Sequence, residues 1–248
     1  LKGVEEFAIE CSLIKVGTSE DIQNCADEGI QIFGGMGFSA DTPMESAWRD
    51  ARIGRIYEGT NEINRMLSVG MLLKKSLKGE LDLMNVVMKV AGEMSKGKFS
   101  ETVMRQSTLN EEIIMLKNLK NVFLIIAGSA FQKYGSEFQK NQQALLGLSD
   151  MLIEIYFAES AILRTIKNNN RGHDISHQSD MSKLYLYEAS EIVLKKAKAI
   201  IGNISEGKAK KTLLKGVQRL CKYDDLPDII NLKNRISEKV IKENKYCF

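Results

Sequence analysis

Two prolines in a chain of 248 residues constrain this sequence more than any other feature. Globular chains usually carry about 5% proline. Helix interiors exclude it, whereas turns and edge strands tolerate it. No stretch shows apolar alternation with period two long enough for a strand, and no repeat of roughly 20–50 residues appears. The expected fold class is all-α.

Helical periodicity divides the chain into two halves. Val4, Phe7, Ala8, Cys11 and Ile14 share one face, and Gly17 is expected to end that helix. Ser19 then caps a second helix, with Glu20 and Asp21 in its first turn and Ile22, Cys25, Ala26, Gly29, Ile30 and Phe33 on one stripe. Gly34, Gly35 and Gly37 interrupt it, and Pro43 opens a short helix behind Asp41 or Thr42. Another helix starts at Thr60. Residues 1–80 form one expected part, and 81–106 a short helix followed by a polar linker. Residues 107–248 are expected to form an antiparallel helical bundle. Thr108 and Glu111 set a capping box at its start. Its helices run to about Lys133, through Phe138–Ile166, and then over 180–201, 208–222 and 228–244.

Net charge is +3, from 35 basic and 32 acidic residues, which excludes a strongly basic nucleic-acid module. The charge is uneven. Lys195 to Lys222 holds nine basic residues against Glu206 alone. This is a solvated helix face or, alternatively, a patch for an anionic membrane surface or acidic partner. Aromatic residues are not interleaved there as in a nucleic-acid stacking platform. No uninterrupted apolar run approaches the ~20 residues of a membrane span, and no secretory signal opens the sequence. It begins at Leu1 inside a helical pattern, which reads as part of a longer protein. Cys11, Cys25, Cys221 and Cys247 have neither CxxC nor metal spacing, so they read as thiols of a reducing cytoplasm. His173 and His177 stand four apart in an Asn-rich stretch without a third ligand, and no metal site is expected.

The chemistry concentrates in Gln31-Ile-Phe-Gly-Gly-Met-Gly-Phe38, Arg49-Asp-Ala-Arg-Ile53 and Ile56-Tyr-Glu-Gly-Thr-Asn-Glu-Ile63. Three glycines behind a helix allow close approach of another surface or of a ligand. They do not follow a strand and open a helix, so a dinucleotide-binding fingerprint fails on context. Glu58, between Tyr57 and Gly59, is a carboxylate that an aromatic ring can desolvate and a substrate can still reach.

These three motifs, in this order and spacing, resemble the C-terminal helical domain of the acyl-CoA dehydrogenases, over roughly residues 1–75. Beyond residue 80 the chain resembles, in architecture and length, the C-terminal helical extension of very-long-chain members and their bacterial relatives. The resemblance implies α,β-dehydrogenation of an acyl-CoA with FAD as cofactor, and the activity belongs to the intact protein. The fragment alone is expected not to hold FAD. It implies that Glu58 is the base that removes the α-proton, and that Gln31, Gly34 and Gly35 contact the adenosine part of FAD held mainly by a second subunit. It also implies that Thr60 and Glu62 contact the flavin, and that Tyr57 and Gly59 line the acyl pocket. The partners implied are an electron-transfer flavoprotein and a second copy in a homodimer. The expected location is the bacterial cytoplasm, with membrane association through the basic stretch as an extension of it. Two alternatives stay open: an acyl-CoA oxidase, and a helical docking module without chemistry of its own.

Overall fold

The computed structural model describes residues 6–95, 109–245 and 247. The described residues contain helices and turns and no strand. Of the linker expected over 95–106, Ser95 is instead the last residue of a helix; residues 96–106, and Thr108 of the expected capping box, lie outside the described residues. The chain divides into two compact units. One comprises residues 1–81 with 139–149, and the other comprises 82–138 with 150–248. The short segment 139–149 thus groups with the first unit.

The first unit is built on α1 (Ala8–Phe33). The sequence pattern predicts two helices here, broken at Gly17 and recapped by Ser19, but one 26-residue helix forms. An interior glycine costs only about 1 kcal/mol against alanine, and burial of Leu13 and Val16 just before it offsets that. Ser19 is no cap. Its hydroxyl donates to the Val16 carbonyl at 3.0 Å, inside the helix. A single turn, α2 (Gly35–Phe38), follows, then α3 (Pro43–Ile53), with Pro43 in its first turn. Thr42 precedes α3, but its hydroxyl donates back to the Met36 carbonyl at 2.7 Å rather than capping. The Trp48 indole N–H donates to Asp27 at 3.1 Å and ties α3 to α1. Next comes α4 (Asn61–Leu77), N-capped by the Thr60 hydroxyl, which accepts from the Ile63 N–H. Ser68 of α4 and Ser149 share a buried hydrogen bond of 3.0 Å.

The second unit contains α5 (Leu83–Ser95), α6 (Asn110–Tyr134), the first part of a 3-10 turn over Gly135–Lys140 and the later part of α7 (Gln142–Asn170). It continues with α8 (Ser176–Ile204), α9 (Gly207–Leu220) and α10 (Ile229–Glu243). Side-chain bonds show how the helices run. Asp150 meets Lys196, Glu154 meets Tyr185 and Thr165 meets Ser182, so α7 is antiparallel to α8. Glu112 meets Lys183 and Lys133 meets the Asn203 carbonyl, so α6 is parallel to α8. Arg235 grips Asp180 through two bonds of 2.7 and 2.8 Å and Lys233 meets Glu188 at 2.9 Å, so α10 is antiparallel to α8. Between these helices Leu119, Val122, Ile126, Met151, Ile162, Leu186, Val193 and Ile201 are shut off from solvent.

Among the described helices α6 alone is long and apolar enough to cross a membrane by length and composition. It packs against α5, α8 and α9 as a core helix, and half of its most apolar stretch is buried. His177 lies within α8 rather than in the polar loop where the sequence pattern put it. Met115 is a core residue, whereas Met84 and Met88 are exposed. In the basic stretch, Lys195, Lys198, Lys208, Lys211, Lys215 and Lys222 are exposed, while Lys196 reaches Asp150 at 2.6 Å.

Leu119 is completely buried, so Leu119→Ala is expected to cost about 2–5 kcal/mol, the range for a leucine removed from a packed core. Urea unfolding followed by far-ultraviolet circular dichroism measures it. A loss below 1 kcal/mol contradicts the packing described.

Candidate active site

All three sequence motifs lie in the first unit, around the C-terminal half of α1 and the loop between α3 and α4. Gly34 ends α1 at φ +61°, with its N–H on the Gln31 carbonyl at 3.2 Å. The neighbouring glycines do different work. A Cβ on Gly37 would stand 2.7 Å from the Ile30 carbonyl oxygen and 2.9 Å from Phe33 Cβ, so Gly37 lets α2 fold back onto α1. A Cβ on Gly35 would meet nothing within 4 Å. Gln31, Ile32, Phe33, Met36 and Phe38 are all exposed, Ile32 to 82% and Phe38 to 79%. The turn is therefore an open, apolar-edged surface with Gly34 and Gly35 bare at its centre.

The loop after α3 is held at both ends. At its start the Ile56 and Tyr57 N–H groups both donate to the Ile53 carbonyl, at 2.9 and 3.2 Å. At its end the Asn61 N–H donates to the Arg55 carbonyl at 3.1 Å. Between these anchors Glu58 has φ +57° and Gly59 φ +81°. The left-handed region costs a side-chain-bearing residue about 1–2 kcal/mol, and such strain persists where the surroundings over-determine it. The Glu58 side chain is exposed, and its backbone N–H has no acceptor among the described residues. The desolvated carboxylate expected from the sequence is absent here: Tyr57 is itself 54% exposed and does not cover it.

Behind the loop is a polar cluster that the sequence reading did not single out. Asn61 is 0% exposed. Its amide donates to Ser19 at 3.0 Å and to Glu20 at 3.1 Å, and its carbonyl accepts from Lys15 Nζ at 2.7 Å. Lys15 Nζ also donates to the Gly59 carbonyl at 2.8 Å. Arg65 holds both oxygens of Glu20 at 2.7 Å, and Arg55 Nη2 stands 3.7 Å away. The Arg55 Nε is buried with no partner. Burial pushes the Glu20 carboxyl up, but Arg65, Asn61 and Arg55 outweigh it and leave the carboxyl below its ordinary value of 4.5.

The remaining predicted residues lie at the end of the loop and in the first turn of α4. Thr60 is occupied as the cap of α4. The exposed Glu62 is held below the ordinary carboxylate value, first by its own backbone N–H and then by the Thr60 hydroxyl. Gly59 is needed for its backbone conformation, and a Cβ there would also come within 3.1 Å of Asn64 Nδ2.

Two family models, both described as the acyl-CoA dehydrogenase C-terminal domain, match residues 2–72 and 118–219. The chain belongs to the acyl-CoA dehydrogenase family. A probable acyl-CoA dehydrogenase of Bacillus subtilis is 34% identical over 247 residues, 99% of this chain and 41% of that relative. Human short-chain specific acyl-CoA dehydrogenase is 44% identical over 68 residues, 27% of this chain and 16% of that protein. The crystal structure of an acyl-CoA dehydrogenase from Bacillus anthracis, complexed with FAD, superimposes with a TM-score of 0.91 at 33% identity. It covers 97% of this chain and 41% of the other. The chain thus spans about two fifths of the length of these full-length bacillar relatives, and both of its units fall inside acyl-CoA dehydrogenase sequence.

Two outcomes test this geometry. Gly37→Ala is expected to destabilise the first unit, because backbone rather than a flexible side chain blocks the new methyl. Gly35→Ala, in open space at ordinary φ, should leave its stability within ~1 kcal/mol. Trp48, the single tryptophan, reports both by fluorescence during urea unfolding.

Glu20 supplies a pH dependence. Its carboxyl is depressed in the folded state, so its contribution is complete above about pH 4.5 and is lost as pH falls through the lower folded value. Glu20→Gln should therefore unfold at lower urea than the parent at pH 7, with the gap narrowing below pH 4.5. A gap constant from pH 7 to pH 3 contradicts the pairing with Arg65.

Proposed function

We propose that this chain is the C-terminal part of an FAD-dependent acyl-CoA dehydrogenase that converts an acyl-CoA thioester to its trans-2-enoyl form, with Glu58 as the base. The observation that carries this reading is the pairing at one residue of an exposed carboxylate and an unpartnered backbone N–H, both presented by a left-handed turn. A thioester α-proton is a weak acid. Its removal needs a carboxylate within reach and a donor on the carbonyl oxygen, where negative charge develops. Glu58 offers both functions: its carboxylate takes the α-proton while its N–H donates to the thioester oxygen. Tyr57 and Gly59 line the path of the acyl chain.

The open glycine turn fits one edge of FAD. Gly34 and Gly35 have no Cβ to hold a flat group away, Gln31 offers an exposed amide, and Phe33, Met36 and Phe38 offer apolar contact. Thr60 and Glu62 stand at the start of α4, directly after the Glu58 loop. FAD, when bound, supplies the acceptor for the β-hydride. Water exclusion around Glu58 falls to bound substrate and to segments of the relatives that this chain does not span. An electron-transfer flavoprotein as oxidant of the reduced protein, and a second copy facing the glycine turn, complete the proposal. The exposed lysines of α9 are assigned to an anionic membrane surface.

Glu58→Gln tests the base. In the full-length protein, rapid mixing with acyl-CoA should bleach the flavin at least ~10²–10⁴-fold more slowly than in the parent. Acyl-CoA binding should stay within a few-fold, because the amide keeps the shape and the backbone N–H is unchanged. Bleaching near the parental rate overturns the assignment.

A further inference from the structure

We propose that Lys15, on α1, is a positioning residue for Glu58: it tethers the Gly59 carbonyl and so holds the strained turn that presents the carboxylate. The inference rests on the reading of Glu58 as the base. Lys15 lies 44 residues upstream of Gly59, and its ammonium donates to the Gly59 carbonyl at 2.8 Å and to the fully buried Asn61 side chain at 2.7 Å. It joins the loop backbone to the same buried amide that Ser19 and Glu20 hold from α1.

The need for a tether follows from the backbone. Glu58 and Gly59 are consecutive left-handed residues, and Glu58 gains nothing from a missing Cβ. A free loop would relax away from that conformation. Upstream, the loop is fixed by two N–H groups on the Ile53 carbonyl. Downstream, the Gly59 carbonyl has two side-chain donors, Lys15 and Asn64 at 2.8 Å each. Asn64 belongs to the first turns of α4 and moves with the loop. Lys15 belongs to α1 and refers the loop to a different helix. The hydrogen bond has a charged donor, the stronger kind. The Lys15 side chain is half-buried rather than core, so replacing it leaves the apolar packing of Leu13 and Val16 in place.

The test uses the full-length, flavin-loaded protein with Lys15→Met, the milder Lys15→Gln, and Lys15→Arg, which keeps a charged donor. Hydrogen exchange of the bonded amides that close the loop, the N–H groups of Ile56, Tyr57 and Asn61, should rise about tenfold in the Met and Gln variants, as expected for loss of one charge-assisted bond. The amides of α1, and those of α4 beyond its first turn, should keep their protection. Single-turnover flavin reduction by acyl-CoA should slow by about tenfold with the acyl-CoA dissociation constant within twofold, and the Arg variant should recover most of the rate. Unchanged exchange at Ile56, Tyr57 and Asn61, or exchange rising equally throughout α1 and α4, overturns the tether. An unchanged reduction rate in Lys15→Met and Lys15→Gln, where Glu58→Gln inactivates the protein, overturns its positioning role. Absence of flavin reduction in the parent with any acyl-CoA overturns instead the reading of Glu58 as base, and the exchange measurement still decides the tether.

Discussion

The first unit depends on one buried amide. Asn61 opens α4 with its side chain fully out of water, where an unsatisfied amide would cost about 1–3 kcal/mol. Every group that satisfies it comes from α1: Lys15, Ser19 and Glu20. Glu20 is in turn neutralised by both arms of Arg65, one turn further along α4. Such a network is most stable when complete, since each partner left over is itself a half-buried polar group. It therefore sets where α4 begins relative to α1. The loop from Gly54 to Thr60 must close the gap between α3 and that fixed point, and the left-handed pair at Glu58 and Gly59 is how it does so.

The helical class was legible in the sequence, because proline scarcity and 3.6-residue periodicity report on whole segments and survive local errors. The capped start of α4 at Thr60 and the stop at Gly34 were legible for the same reason, each being a backbone preference written in one residue. Gly17 and Ser19 misled because they carry the same local signals as a helix end. The difference lies in tertiary contacts: burial of Leu13 and Val16 carries the helix through the glycine, and Ser19 finds its partner in Asn61, 42 residues away. The motif residues of the candidate site could be named from their order, but not their support. Lys15, Glu20 and Arg65 look like ordinary surface charges until the fold brings them behind the loop.

The glycine turn shows how one short motif divides its labour. Gly37 is excluded from carrying a side chain by the backbone of α1, a matter of folding. Gly35 faces open space and has no such constraint from this chain. Large apolar side chains on both sides of it stand exposed, and a surface of grouped apolar residues on a soluble protein usually belongs to an interaction. A requirement for glycine at position 35 thus has to come from whatever approaches the turn, which agrees with the proposed seat for one edge of a flat cofactor.

Proton abstraction from a thioester makes two demands on a carboxylate that pull in opposite directions. Reach and alignment require it to project freely from the backbone, while basicity requires that water be kept from it. A single rigid loop meets the first demand: the left-handed turn turns both the Glu58 carboxylate and its N–H outward, and the cluster behind the loop holds them there. It cannot meet the second without burying the residue against its own chain and closing the route to the substrate. The exposure of Glu58 and Tyr57 is therefore the geometry that such a division requires. On the proposed function, one element fixes the base, and bound substrate with the segments that this chain does not span would supply the dryness, only once there is a proton to remove.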